Sequence, residues 1–176
     1  MRSDKRKRVL IMGLIWVVIL YIADRVTKIW AVARLKDNTD ITIIKNVFVL
    51  HYLENRGAAF GMLQGKRLIF VIITIVVAAA IIYIYTFMPV KKRYLPLRIV
   101  MIMIFGGAIG NFFDRAIQGY VVDFFYFSLI NFPIFNVADI FVTVAAILLI
   151  LLILLYYKEE DLKDIGEHLK LSGIRS

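Results

Sequence analysis

The sequence predicts an all-α membrane protein with four transmembrane helices and a small β-sheet in its first outer loop. Two observations support this prediction. Of the 176 residues, 61% are hydrophobic and the mean hydropathy is +0.81, whereas soluble domains are about half apolar. The apolar residues also fall into four runs, each close to the length that crosses a bilayer as a helix.

The four runs define the spans of a single membrane domain, which we expect to cover residues 1–176. The first run is uncharged from Val9 to Ala23, and the second is uncharged throughout. The third has Arg98 at its entrance, and the fourth begins directly after Asp139. The predicted spans are residues 9–33, 68–88, 97–113 and 137–157.

Lysine and arginine residues predict the orientation of these spans. Five lie in the N-terminal tail, four between the second and third spans, and four in the C-terminal tail, but only Arg115 lies between the third and fourth. Both termini are therefore expected in the cytoplasm. The first outer loop is an exception, with eight basic residues from Arg25 to Arg67, but it is long and acidic residues offset four of them.

The β-sheet is predicted within residues 38–66. ITII and VFVLHYL, separated by Lys45 and Asn46, have the pattern of two short strands joined by a turn. NRGAAFG follows from Asn55 to Gly61, and its small residues permit close approach of the backbone.

Composition also excludes several kinds of site and partner. The chain has no cysteine, so it has no disulfide, thiolate nucleophile or cysteine metal site. Its two histidines, His51 and His168, are far apart in sequence. The composition therefore argues against a metal enzyme. In so apolar a chain, the net charge of +9 favours contact with anionic lipid over nucleic acid.

Each aspartate near a span needs an explanation, because a charge deep in hydrocarbon costs at least ~2.5–3.5 kcal/mol. Asp139 could cap the fourth span at its third position, with Asn136 as the N-cap, or it could be catalytic. Asp123, in the apolar stretch YVVDFF, could be a turn residue or a catalytic one. Asp114 is expected to pair with its neighbour Arg115.

Asp24 and Lys28 are four residues apart, which is the spacing of an ion pair on one helix face. Gly106 and Gly110 form a GxxxG pattern in the third span, which predicts close helix packing.

The catalytic interpretation of Asp123 and Asp139 is favoured when they are considered together, because they flank the same outer loop. Two carboxylates in a site of low dielectric constant cannot both ionise easily, so one keeps a proton and the other acts as a base. Such a pair can activate water for attack on a peptide carbonyl. Spacing alone does not bring the two side chains together. A small proton-coupled transporter subunit and a membrane scaffold stay open as alternatives.

Five motifs in order resemble those of the prolipoprotein signal peptidases, or signal peptidase II. They are Asp24 with Lys28, NRGAAFG, GGAIGNFFDR (Gly106 to Arg115), VVDF (Val121 to Phe124) and FNVAD (Phe135 to Asp139). Each is weak alone, but five in order on four spans are specific.

The resemblance implies an intramembrane aspartic endopeptidase that cuts bacterial prolipoproteins before the diacylglyceryl-modified lipobox cysteine. Asp123 and Asp139 would be its catalytic dyad, and the implied mechanism needs no metal, nucleotide or redox cofactor. The residues implied as a polar shell or as supports are Asn55, Gly57, Asn111, Arg115, Asn136, Asp24, Lys28 and Asp114. The implied place is the bacterial cytoplasmic membrane, with the site near the extracytoplasmic face.

The resemblance also implies that globomycin-type inhibitors bind between the aspartates, and that the partners are modified prolipoproteins and membrane lipid. We expect a monomer. One departure from the family pattern is Ile140, which follows the second aspartate where the family often has serine.

Overall fold

A computed structural model describes residues 2–57 and 67–173. In this part of the chain, helices and strands alternate in an order that puts two strands after the first helix and one after the third. The main elements are α1 (Arg2–Leu35), β1 (Ile41–Ile44), β2 (Phe48–Asn55), α2 (Arg67–Phe87), α3 (Leu95–Ile117), β3 (Val121–Tyr126), α4 (Val137–Leu151) and α5 (Glu159–Gly173).

Among the described residues, four helical stretches are long and apolar enough to cross a membrane, as the sequence predicts. They are Asp4–Leu35, Arg67–Phe87, Lys92–Ile117 and Val137–Tyr156. The last includes a π-helical turn, Leu152–Tyr156, that continues α4. The protein is thus a mostly helical, multi-pass membrane protein.

Helix α3 packs against α1, α2 and α4, and glycines let two of these neighbours approach closely. A Cβ atom on Gly107 would lie 2.5 Å from the carbonyl oxygen of Ala138 in α4. A Cβ atom on Gly110 would lie 2.5 Å from Oδ2 of Asp24 in α1. The predicted close packing around the GxxxG pattern is confirmed, and Gly110 also makes room for a carboxylate.

The sheet has three antiparallel strands in the order β1-β2-β3. The sequence predicts the first two strands, with the turn at Lys45 and Asn46. The sequence does not predict β3. Because Asp123 lies within this strand, the alternative that Asp123 is a turn residue is wrong. The short apolar run that contains Asp123 is a buried strand, because Val122 and Phe124 pack with Ala31 and Leu35 at the end of α1.

Helix α5 lies at the opposite end of the bundle, against the connection between α2 and α3. Lys91 contacts Asp164 at 2.6 Å, and Arg93 contacts Asp161 at 2.8 Å. Ile165 adds a buried apolar contact with the same region.

Candidate active site

Strand pairing brings Asp123 beside Asn55. Asn55 pairs with Val121, and Leu53 pairs with Asp123, so Asn55 and Asp123 are diagonal neighbours on one face of the sheet. Asn55 Nδ2 donates to Asp123 Oδ2 at 2.7 Å. The register shifts between Leu50 and Leu53, and such irregularities often re-aim side chains near functional sites.

Asp139 is held by the start of α4. Asn136 is the N-cap, and its side chain accepts a hydrogen bond from the Asp139 backbone N–H at 3.1 Å. Asp139 Oδ2 in turn accepts from the Asn136 backbone N–H at 3.1 Å. The predicted capping box is therefore present. It leaves Oδ1 of Asp139 free for a second partner.

A short backbone contact brings the two aspartates together. Phe135 bridges to Phe125, with its carbonyl oxygen accepting from Phe125 N–H at 2.9 Å and its own N–H donating at 3.1 Å. This folds the segment before α4 back onto β3. The next residue, Asn136, then donates from Nδ2 to Asp123 Oδ1 at 2.6 Å. Asn136 thus contacts both Asp123 and Asp139.

Asn111 of α3 completes the arrangement. Its Nδ2 donates to Asp139 Oδ1 at 2.8 Å, and its Oδ1 accepts from Lys28 Nζ at 2.8 Å. Because an ammonium group can only donate, Lys28 fixes which end of the Asn111 amide faces it. The amide N–H₂ end is thereby directed at Asp139. The same Oδ1 also accepts from Asn136 at 3.1 Å.

Lys28 also lies between two further buried carboxylates. Its Nζ is 2.8 Å from Asp24 and 2.7 Å from Asp114. The predicted pair of Asp24 and Lys28 is present, and Asp24 Oδ1 additionally accepts from the backbone N–H of Ala138 at 3.0 Å. Asp24 therefore stabilises the start of α4 from a neighbouring helix.

The expected pairing of Asp114 with Arg115 is wrong. Consecutive helical residues point about 100° apart. Asp114 faces α1, where Arg25 and Lys28 bind it. Arg115 faces the other way: it donates to the carbonyl of Gly57 at 3.2 Å, and its guanidinium lies 4.7 Å from the ring centroid of Phe70.

The roles of Arg25 and Phe70 were missed at the level of sequence. The position of Arg25 directly after Asp24 could have indicated its role. No feature of the sequence indicates the role of Phe70. Gly57 is buried beside Asn55, whose Oδ1 accepts from its N–H at 2.9 Å. Residues 58–61 of the same motif lie outside the described residues.

The electrostatics of Asp123 differ from those of an ordinary aspartate. Its side chain is buried, with 1% exposed. Among the described residues no cation forms a salt bridge with it or with Asp139. Burial, and next the negative charge of Asp139, raise the pKa of Asp123 to about 7. This carboxyl can therefore hold a proton near neutral pH.

Both carboxylates line a cavity of about 530 Å³. Asn55, Asn111 and Arg115 are its other polar walls. Its remaining walls are apolar side chains from α2, β3, α4 and the segment before α4. They are Phe70, Val121, Phe132, Pro133, Ile134, Phe135, Ile140 and Val144, with Thr143 beside them. A protonated and an ionised carboxyl at such a cavity can activate a water molecule against a bound amide.

Comparison with known proteins assigns the chain to a family. A family model described as signal peptidase (SPase) II matches residues 16–155. The lipoprotein signal peptidase of Clostridium tetani is 45% identical over 139 residues, which cover 77% of this chain and 88% of that protein. The lipoprotein signal peptidase of Clostridium novyi is 43% identical over 129 residues, or 72% of this chain and 86% of that protein.

Solved structures agree. A bacterial membrane enzyme, determined by the in meso method at 2.3 Å resolution, has a TM-score of 0.71 and 33% sequence identity. The match covers 84% of this chain and 92% of that one. Sequence motifs, helical architecture and these likenesses lead to one assignment: this chain belongs to the signal peptidase II family and is a peptidase.

Proposed function

We propose that the protein is an intramembrane aspartic endopeptidase that removes signal peptides from bacterial prolipoproteins. It cuts before the lipobox cysteine once that cysteine carries a diacylglyceryl group. The observation that carries this proposal is a pair of carboxyl groups, Asp123 and Asp139, held by neutral amides at one apolar cavity.

The surroundings of the two aspartates assign them different roles, Asp139 as the base and Asp123 as the acid. Asp139, the less buried of the two, is the base that takes a proton from water as the water oxygen bonds to the scissile carbonyl carbon. Asp123 holds the proton that goes to the substrate. When the tetrahedral intermediate collapses, the anionic oxygen re-forms the carbonyl, the C–N bond breaks and the leaving nitrogen takes the proton of Asp123. The products are a carboxylic acid and an amine, and the proton taken from water stays on Asp139.

The surrounding asparagines orient the two carboxyl groups through neutral hydrogen-bond donors. Asn55 and Asn136 each hold one oxygen of Asp123, and Asn111 holds one oxygen of Asp139. Arg115 is bound to the Gly57 carbonyl at the cavity wall. It supplies a positive charge that favours the anionic oxygen of the intermediate.

The apolar wall of the cavity suits the lipid part of the substrate. Phe132, Ile140 and Val144 face the cavity beside the carboxylates. In the position where the family often has a polar serine, Ile140 adds apolar surface for acyl chains. Globomycin-type inhibitors would occupy the same cavity and contact both aspartates.

We also propose that the whole chain acts as one domain, a monomer with both termini in the cytoplasm. The site end, with the β-sheet, would then face the extracytoplasmic side. Because the chain contains no cysteine, single cysteines can test this orientation. An impermeant thiol reagent applied to intact cells should label Asn38→Cys and should not label Lys92→Cys. The reverse labelling would overturn the orientation.

Cleavage of a diacylglyceryl-modified prolipoprotein by purified protein in detergent tests the main proposal. Wild type should cut before the modified cysteine and leave the unmodified substrate intact. Asp123→Asn and Asp139→Asn should lose activity by at least ~10³-fold, because the acid or the base is absent. Asp37→Asn is the matched control, since Asp37 is exposed in the first outer loop. Full activity in either dyad variant would show that the aspartates are structural.

A further inference from the structure

A second cavity lies toward the N-terminal half of α1, away from the carboxylates. Its volume is about 520 Å³. One wall is α1 from Val9 to Leu20, the opposite wall is α3 from Leu95 to Met103, and Tyr85 of α2 contributes to the lining. This groove between α1 and α3 is apolar along its shaft and has basic residues at one end.

The length of the groove matches one leaflet of a bilayer. From Val9 to Leu20 the helix rises about 17 Å at 1.5 Å per residue, and half of a typical hydrocarbon core is about 15 Å. The deep end lies where α1 meets α3. There a Cβ atom on Gly106 would be 3.0 Å from Cβ of Leu20. The shaft can therefore take one acyl chain within a single leaflet.

The basic end of the groove is formed by two arginines. Arg8 is exposed, whereas the side chain of Arg98 is buried, with 4% exposed. In the described ranges neither forms a salt bridge with a carboxylate. The positive charge of Arg6 also acts on Arg98. The mouth of the groove thus carries positive charge.

Arg98 is fixed in place but not neutralised. It donates to the carbonyls of Tyr85 and Met88, each at 2.9 Å, at the C-terminal end of α2. These carbonyls are partial negative charges, which hold the guanidinium without cancelling its full charge. Its buried Nε has no hydrogen-bond partner among the described residues. An anionic group at the mouth would supply the missing charge.

We propose that the groove between α1 and α3 binds an anionic phospholipid. The phosphate lies at the mouth near Arg8 and Arg98, and one acyl chain lies along the shaft toward Leu20. A zwitterionic lipid brings no net negative charge to the mouth, so the site prefers a lipid such as phosphatidylglycerol over phosphatidylcholine. This proposal is independent of the peptidase mechanism.

Relative binding of the two lipids to the purified full-length protein in nonionic detergent, measured by native mass spectrometry, tests the proposal. Wild type should bind phosphatidylglycerol in preference to phosphatidylcholine. Arg8→Gln should reduce that preference about fivefold, the size expected for one basic residue facing an anionic headgroup. Lys7→Gln is the matched control, because Lys7 is exposed on the same helix and does not line the groove. It should change the preference by less than about twofold.

A second variant tests the shaft. Ile99 lines the groove and its side chain is 48% exposed, so Ile99→Trp should fill the shaft without disturbing the core. We expect it to reduce the binding of both lipids about fivefold or more, with an unchanged unfolding midpoint. Free glycerol phosphate should not displace bound lipid, since the acyl chain contributes much of the binding.

Three results with the lipids and the variants would overturn the proposal. They are equal binding of the two lipids by wild type, equal effects of Arg8→Gln and Lys7→Gln, and undiminished lipid binding in a folded Ile99→Trp. Displacement by glycerol phosphate alone would also overturn it, because the site would then bind an anion and not a lipid.

Discussion

Two pairs of buried or half-buried carboxylates lie side by side in this bundle, and they are held in different ways. Asp24 and Asp114 both contact the ammonium of Lys28, at 2.8 and 2.7 Å. Asp123 and Asp139 receive hydrogen bonds from asparagine amides and a backbone N–H. In the part of the chain that the structure describes, neither forms a salt bridge.

The difference separates a structural role from a chemical one. A cation within 3 Å favours the ionised form of a carboxylate. Neutral amides orient a carboxylate but compensate less of its charge, so burial and the second aspartate can still raise the pKa of Asp123 to about 7. We infer that the cationic pair builds the site and the amide-bound pair performs the reaction.

Of the variants that test this comparison, Lys28→Met should have the largest effect on stability. It leaves Asp24 and Asp114 buried with too little positive charge, and breaking a buried ion pair costs about 3–5 kcal/mol. We expect a loss of that size in the free energy of unfolding, measured by denaturant titration in detergent. Lys36→Met is the control: Lys36 pairs with Glu54 at the surface, and its side chain is 41% exposed. A loss below about 1 kcal/mol, the range for exposed pairs, would contradict the prediction.

Gly110→Ala tests the space that the cationic pair requires. The added methyl group would lie 2.5 Å from Asp24 Oδ2, so Asp24 must move away from Lys28. We expect a loss of about 1–3 kcal/mol in the free energy of unfolding. Gly166→Ala in α5 is the matched control, because its Cβ would meet nothing within 4 Å. It should stabilise α5 by up to ~1 kcal/mol. Equal effects of the two variants would refute this account of Gly110.

The pH dependence of cleavage tests the amide-bound pair, Asp123 and Asp139. Because we propose Asp123 as the proton donor, activity should fall as the pH rises through about 7. The reaction also needs an ionised Asp139, so activity should not stay full at acidic pH. The folded state also binds this proton more tightly than the unfolded chain, so the contribution of Asp123 to stability decreases between about pH 4 and 7.

Asn55→Ala should shift the pH at which cleavage activity falls on the alkaline side of the profile. It removes a donor to the ionised form of Asp123, which raises the pKa of the carboxyl further. A hydrogen bond to a charged group contributes about 1.5–3 kcal/mol, so we expect the limb to move upward by about one pH unit. Asn38→Ala, in the exposed first loop, should leave the profile unchanged. A limb that stays in place in Asn55→Ala would mean that another group titrates.

Arg25→Gln should have the smallest effect. Arg25 contacts Asp114, but its side chain is 41% exposed and Lys28 still neutralises the same carboxylate. We expect a loss of at most about 1 kcal/mol in the free energy of unfolding, and cleavage within about twofold of wild type. A loss as large as that of Lys28→Met would show that the two cations are equivalent.

Much of the fold was predictable because it depends on local patterns. Long uncharged runs predict the four membrane helices, and short runs rich in β-branched and aromatic residues predict β1 and β2. The capping box at Asn136 and Asp139 was also predictable, since it depends on positions three residues apart. Strand β3 was not, because five apolar residues around one aspartate have no pattern that separates a buried strand from a turn.

The partners of Asp114 show a second limit. In sequence, Arg115 is its nearest cation, and the helix geometry of α3 turns the two side chains apart. Arg25 and Lys28, which bind Asp114, come from α1, about 90 residues earlier in the chain. Only the packing of α1 against α3, made possible by small residues such as Gly110, brings them together.

The sequence by itself determined the spans, the helix cap and the motifs that place the chain in its family, because each depends on neighbours within one element. The tertiary structure alone decided that Asp123 and Asp139 share a cavity. Their meeting requires β3 to pair with β2 and Phe135 to bridge back onto β3. Hydrogen bonds between distant segments create that proximity, and no local spacing encodes it.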